Sequence, residues 1–187
     1  MRDRARWCYF GDSMEILHSA RFETRFGEML AASTSQGLAY LQLPRASGRG
    51  LAGWLRRYLP EARHEEAYAP NRSAIGQILE YLEGKREQFD LPLDLRGTEF
   101  TLSVYREVGR IPYGKTATYS EIASAVGHPK AYRAVGNANA GNPLPLVIPC
   151  HRVVAAGGRL GGYAGGTSMK EQLLVMERER PAAGDLL

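Results

Sequence analysis

The order of apolar and polar positions divides this 187-residue chain into two stretches of different character. Residues 24–33 and 37–43 read as two strands flanking a turn of Ser, Thr, Gln and Gly. Helical spacing of apolar residues follows at 51–59, and Pro60 stops that helix. A second helix runs from about Ser73 through Ile75, Ile78, Leu79 and Leu82 towards Gly84. Phe89-Asp90-Leu91-Pro92-Leu93-Asp94-Leu95 is an extended, proline-containing connector. It places a domain boundary there, with residues 1–97 as an N-terminal unit and 98–187 as a second one.

The second unit opens with a helix from Thr98 that carries Phe100, Val104 and Val108 at four-residue spacing and closes at Gly109. A turn at 111–115 leads to Thr118-Tyr119-Ser120-Glu121, a capping-box pattern that starts a helix ending at Gly127. A further helix is expected from Lys130 to about Asn139. Helix, short turn, helix is the outline of a helix-turn-helix, although any two packed helices can produce it. Ala131, Ala134, Gly136, Ala138 and Ala140 give the second helix a small-residue surface from which Arg133 projects. That surface suits either close helix packing or close approach to a DNA groove. Prolines 143 and 145 then fix a loop. Six glycines between 157 and 166, with Tyr163 among them, form a tight loop able to wall a pocket. Ser168-Met169-Lys170-Glu171 reads as a second capping box, opening a last helix with Leu173, Leu174 and Glu177 on one stripe.

The apolar fraction, 44%, is that of a soluble globular protein. No run approaches the roughly 20 apolar residues of a membrane helix, and no signal core follows the basic start Met1-Arg2-Asp3-Arg4-Ala5-Arg6. The expected location is cytoplasmic, with no membrane partner, and Cys8 and Cys150 are expected as thiols. Net charge is +4, but residues 110–170 alone carry +6, with Glu121 their one acid. A positive segment of this kind suits an anionic partner such as nucleic acid, or else a merely basic solvated surface.

Candidate chemistry lies in Val147-Ile148-Pro149-Cys150-His151-Arg152-Val153-Val154, where one of two cysteines adjoins one of four histidines. A free thiol has a pKa near ~8.5, and a neighbouring imidazole with nearby positive charge makes it a nucleophile. A buried structural cysteine beside a histidine is the alternative. Glu177 is an ionisable group on an apolar stripe and needs a partner, or else sits at an edge that reaches solvent.

Pro149-Cys150-His151-Arg152-Val153-Val154, Gly141-Asn142-Pro143, the Arg133-Ala134-Val135-Gly136 helix, Gly162-Tyr163-Ala164-Gly165-Gly166, Lys170 and Glu177 together resemble the O6-alkylguanine-DNA alkyltransferases. The match runs from about residue 98 to 177, with a looser one through Trp54-Leu55-Arg56-Arg57 and the connector. The resemblance implies an α/β (α+β) chain. Its N-terminal part would be a small mixed sheet-plus-helix, RNase H-like domain. Its C-terminal part would be mostly helical, with a winged, helix-turn-helix DNA-binding motif. It implies stoichiometric transfer of an alkyl group from O6-alkylguanine to Cys150, after the base is flipped out of double-stranded DNA. Glu177 would orient His151, which would deprotonate Cys150 through a water. Tyr119 would donate to the leaving base, and Asn142 would hold the turn. Arg133 would fill the vacated stack, with Lys130, Ala131, Tyr132 and Gly136 at the groove. Pro145, Val153, Tyr163 and Ala164 would line the pocket, the carbonyls of Cys150 and Val153 accepting from the guanine amino group. No cofactor or metal is implied, and a monomer is expected. Tyr132, Ala164, Leu102 and Tyr105 depart from the residues common in relatives. Competing readings are a non-enzymatic lesion binder, in which another residue replaces the cysteine, and a thiol hydrolase using Cys150 and His151.

Overall fold

The computed structural model describes residues 14–44 and 50–179. The basic N-terminal hexapeptide and Cys8 lie outside the described residues. Strands β1 (Ile16–Thr24), β2 (Gly27–Thr34) and β3 (Gly37–Gln42) form an antiparallel meander. Strand β4 (Arg63–Glu66) joins β1 in parallel, giving the order β3-β2-β1-β4. The strand expected over 24–33 is β2 with its first residues diverted, because Arg25 and Phe26 turn the chain back onto β1. The Thr24 hydroxyl holds that turn, donating to the Gly27 carbonyl at 2.7 Å and accepting from the Phe26 N–H at 3.1 Å. Strands β1 and β4 are additions to the sequence expectation.

Both faces of β2 are covered, and its alternation assigns each side. Met29 and Ala31 share a core with Ala74, Ile75, Ile78 and Tyr81 of helix α2 (Arg72–Leu82). Leu30 and Ala32 instead pack with Leu51 and Trp54 of helix α1 (Gly50–Tyr58). Both helices thus occupy their expected positions to within a residue or two. The connector runs extended beside β3, with Leu38 N–H donating to the Pro92 carbonyl and Asp94 N–H to the Leu38 carbonyl, both at 2.9 Å. Only glycine fits at position 37. Its φ is +141°, and a Cβ there would lie 2.2 Å from the Pro92 oxygen.

Beyond the connector come helix α3 (Glu99–Gly109), strand β5 (Ala117–Thr118), helices α4 (Tyr119–Ala125) and α5 (Tyr132–Ala140), strand β6 (Val153–Val154) and helix α6 (Thr167–Glu179). Thr98 caps α3 by accepting from the Thr101 N–H. The α4 capping box forms as expected, with Glu121 Oε2 accepting from the Thr118 N–H at 2.6 Å. Two helix starts differ from the sequence reading. Lys130 lies in the turn before α5, where Ala131 N–H donates to the His128 carbonyl, so Ala131 is the cap and Tyr132 the first helical residue. Helix α6 starts at Thr167, so Ser168 sits inside its first turn and its hydroxyl accepts from Gln172.

Helices α4 and α5 pack as the helix-turn-helix pair, with α3 against both. Strands β5 and β6 pair in parallel through Ala117–Val153 and Thr118–Val154, drawing the Cys150 segment towards the start of α4. Cys150–Arg152 is one turn of 3₁₀ helix rather than part of a strand, closed by Arg152 N–H onto the Pro149 carbonyl at 2.9 Å. One hydrophobic cluster runs through both halves, from Leu38, Leu41 and Ile78 to Val108, Val135, Leu144 and Leu173. No helix among the described residues is long and apolar enough to cross a membrane.

Asn71, fully buried before α2, ties the sheet together. It accepts from the Ser33 hydroxyl at 2.9 Å and donates to the carbonyls of His18 and Ala67, each at 3.0 Å. Asn71→Ala strands these groups, each costing about 1–3 kcal/mol when left unmade. Urea unfolding of the variant is expected to reveal a loss of at least about 2 kcal/mol.

Candidate active site

Cys150 lies 3% exposed at a cavity of about 270 Å³ lined by Tyr119, Gly136, Asn139, Ala140, Gly162, Tyr163 and Ala164. Three segments build that cavity: the start of α4, one side of α5 and the glycine-rich loop. The chain reaches Cys150 through a clamped bend. Asn142 donates to the Ile148 carbonyl at 2.8 Å and accepts from the Leu144 N–H at 3.0 Å, while Leu146 takes a left-handed φ of 73°. Asn139 donates to the Cys150 carbonyl at 3.2 Å.

Burial pushes the Cys150 thiol up to about 11, against the pull of the Asn142 side chain, the Lys170 ammonium and nearby backbone N–H groups. The resting group is therefore a thiol and needs a base. His151 is also fully buried, and its Nε2 lies 2.9 Å from Glu177 Oε1. Burial lowers its pKa, and the Arg152 and Lys170 charges add to that, while Glu177 opposes it. Its Nδ1 has no hydrogen-bond partner within the described protein. Burial would raise the Glu177 carboxyl, but hydrogen bonds and charge from His151 and Arg152 outweigh it and hold the group at about 2. Arg152 is the ionic partner, with Nε 2.9 Å from Oε2 and Nη2 2.9 Å from Oε1. The arrangement is a neutral imidazole on an ionised carboxylate, beside a protonated thiol in a cavity large enough for a planar base.

A model of the 6-O-methylguanine DNA methyltransferase DNA-binding domain matches residues 99–179. A methylated-DNA–protein-cysteine methyltransferase of Methanosarcina acetivorans is 40% identical over 163 residues, spanning 86% of this chain and 98% of that protein. The chain belongs to the methylated-DNA–protein-cysteine methyltransferase family. A constitutive member from Bacillus subtilis is 42% identical over 83% of this chain and 92% of its own length. Among solved structures, Mycobacterium tuberculosis OGT in complex with DNA superposes with a TM-score of 0.77 at 35% identity, covering 89% of this chain and 96% of that one. The two-domain methyltransferase fold is thus the fold of this chain.

Around this methyltransferase core the other candidate residues fall into separate groups. Tyr119 is half-buried in the cavity wall, and burial and the neighbouring Cys150 raise its pKa, so it stays a donor. Gly136 lies against the Tyr119 ring and lines the cavity, whereas Arg133 and Ala134 on the same helix are exposed. Tyr132 is 45% exposed and stacks under the Arg133 guanidinium, 5.8 Å from its ring centre, with Lys130 exposed nearby in sequence. Tyr163 and Ala164 line the cavity, but Pro145 does not. It is buried beside a neighbouring groove of about 420 Å³ that shares Ala140 and Ala164. Val153 is fully buried in the core, and its carbonyl already accepts from Lys170 Nζ at 2.6 Å. Two of the seven cations behind the +6 segment, Arg152 and Lys170, are therefore internal, and the other five are exposed.

Sequence reasoning missed Tyr81 altogether. This fully buried residue of α2 donates its hydroxyl to Glu177 Oε1, and its oxygen lies 3.1 Å from His151 Nε2. Gly114 N–H also reaches Glu177 Oε2, at 3.1 Å.

The depressed Glu177 carboxyl carries a pH signature. A carboxyl lowered on folding stabilises the fold above its unfolded value near 4.5 and loses that contribution as pH falls towards 2. Glu177→Gln leaves Arg152 buried without its counterion, which costs about 3–5 kcal/mol near neutral pH. Urea unfolding between pH 2.5 and 7 is expected to give that loss together with a shallower decline through the acid range.

Proposed function

We propose that this protein repairs DNA by taking an alkyl group from O6-alkylguanine onto Cys150, once per molecule. The observation that carries the reading is the buried thiol facing a base-sized cavity, with a neutral histidine beside it on an ionised carboxylate. Family membership supports it, since relatives across most of this chain are methylated-DNA–protein-cysteine methyltransferases. The lesion-binding alternative is disfavoured because the nucleophile and its base are both present.

The chemistry follows from the contacts. With Nε2–H committed to Glu177, Nδ1 of His151 is the site that accepts a proton from Cys150, relayed by one water. The thiolate attacks the alkyl carbon, the S–C bond forming as the C–O6 bond breaks. The electron pair leaves with guanine, where a proton donated by Tyr119 neutralises it. The imidazolium proton then restores Tyr119. Lys170 lowers the cost of the transient thiolate by charge, and donors aimed at developing charge are typically the largest catalytic contribution. Asn142 holds the bend that presents the cysteine.

The reacting oxygen is inaccessible within a duplex, so the base must leave the stack. Helix α5 supplies the surface for this: exposed Arg133 enters the vacated space, Ala131, Tyr132 and Ala134 lie at the groove, and Lys130 meets phosphate. Gly136 serves the pocket instead, leaving room for the Tyr119 ring. Tyr163 and Ala164 close the cavity, while Pro145 borders its outer groove. The carbonyls of Cys150 and Val153, the expected acceptors for the guanine amino group, already accept from Asn139 and Lys170 respectively. We place the domain boundary at residues 97/98 and expect a monomer acting on double-stranded DNA in the cytoplasm.

Incubation with free O6-benzylguanine is expected to add one benzyl group to Cys150 by intact-mass spectrometry, and Cys150→Ser to remain unlabelled. A folded wild-type protein without the adduct would overturn the transfer reading, and repeated product release would indicate a hydrolase. Flipping costs a few kcal/mol, and about 1.4 kcal/mol is tenfold in rate. Arg133→Ala is therefore expected to slow transfer from duplex DNA about tenfold or more. Its rate with the free base should stay within about twofold. Single-turnover kinetics on both substrates check this.

A further inference from the structure

The phenol of Tyr81 is a buried polar group that the transfer mechanism leaves unused. It comes from α2, on the far side of the connector from every other residue of the site. Its position is restrictive. Tyr81 is fully buried, packed against Phe89 at 5.2 Å between ring centres and edge-on to Tyr113 at 6.3 Å. Its single proton goes to Glu177 Oε1, an atom that also accepts from His151 Nε2 and from Arg152 Nη2, each at 2.9 Å. Two consequences follow from donor counting. Nε2 faces a carboxylate oxygen and a phenol oxygen whose proton is already spent, and both can only accept. The imidazole must then carry its proton on Nε2 and leave Nδ1 as the base. Secondly, Tyr81 and His151 compete for the charge of one oxygen.

We propose that Tyr81 is a positioning residue through which the N-terminal half sets the basicity of His151, by sharing Glu177 Oε1 with the imidazole. This deepens the alkyl-transfer reading and rests on it for its functional meaning. A hydroxyl that donates to the carboxylate disperses charge that would otherwise stabilise an imidazolium. Tyr81 therefore adds to the burial that keeps His151 neutral at rest, and makes it less basic than the carboxylate alone would. The charged and titratable groups facing the pair from other elements are Arg152, Lys170, Cys150, Tyr113 and Tyr163. Arg152 also donates to Oε1, and that cation stays in place when Tyr81 is altered. Burial and the Glu177 carboxylate raise the Tyr81 pKa well above its ordinary value, so the phenol remains a donor throughout the working range.

The test is the titration of His151 by nitrogen NMR on histidine-labelled full-length protein, wild type against Tyr81→Phe, with thermal unfolding run alongside. Tyr81→Phe is expected to raise the His151 midpoint by about half a unit to one unit, of the order that one lost hydrogen bond shifts a pKa. The acid limb of the single-turnover rate with O6-benzylguanine should move up in parallel. Replacing the residue with 2,3-difluorotyrosine, which keeps the hydroxyl as a stronger donor, should move both in the opposite direction. That variant keeps the proposal testable should Tyr81→Phe unfold. Midpoints that coincide in all three proteins, or a downward shift in Tyr81→Phe, would overturn it. Because the NMR midpoint requires no alkyl transfer, a protein without transferase activity would refute the transfer reading and leave the role of Tyr81 still measurable.

Discussion

The buried carboxylate of Glu177 is the point on which the site depends. Burying a lone carboxylate is prohibitively costly, and the protein offsets it with donors from three separate segments. Tyr81 comes from α2, Gly114 from the turn after α3, His151 and Arg152 from the 3₁₀ turn, and Glu177 itself from α6. None of these segments can shift alone without leaving a charge or a donor unpaired inside the protein. The carboxylate is thus both a structural joint and the group that orients the base. Arg152 reinforces the joint with Nη1 on the Ile111 carbonyl at 2.7 Å, which fixes the turn ahead of Tyr113.

The same joint explains why the two halves of the chain share one core. Leu38 and Leu41 of the sheet cluster with Val135 and Leu144 near the cysteine, so the halves pack as neighbours within a single hydrophobic cluster. Leu41 N–H donates to the Pro143 carbonyl at 2.8 Å, within the loop that Asn142 clamps. The sheet thereby supports the bend that presents Cys150. Left-handed backbone at a buried leucine such as Leu146 persists only where its surroundings over-determine it, and the Asn142 hydrogen bonds on either side do so.

What could be read from the sequence follows from how local each signal is. Cys150 and His151 adjoin, Glu177 stands out as a charge on an apolar stripe, and Thr118 with Glu121 announces a helix start within four residues. Tyr81 has no such mark. On the apolar side of α2 its ring serves packing as a phenylalanine would, and its hydroxyl matters for an imidazole 70 residues away and a carboxylate 96 residues away. Strand β4 was equally silent, since Arg-His-Glu-Glu has no apolar alternation. It is an edge strand paired on one side only. Lys170 and Arg152 misled in the other direction. Counted as surface charge, both are internal, and burial is a property of the fold that a charge tally does not contain. The chain turns at Cys150 for a local reason, because β-branched neighbours favour extension but Pro149 accepts the bond that closes a 3₁₀ turn.

A thiol held at about 11 is an odd choice for a nucleophile that must turn over rapidly. At neutral pH the group rests almost wholly as the thiol. For a nucleophile that acts once the balance is different. Thiolate character and exposure also govern oxidation, so a buried, protonated cysteine survives until it meets its substrate. A neutral His151 fits the same logic, since it can take the proton when attack begins without having charged the site beforehand. The base entering the cavity brings its own acceptors and excludes water, which strengthens every charge interaction around the sulfur at the moment of reaction. Reactivity is then tied to occupancy of the cavity: burial restrains the thiol at rest, and Lys170 and Asn142, which already favour the thiolate, assist it when the lesion arrives.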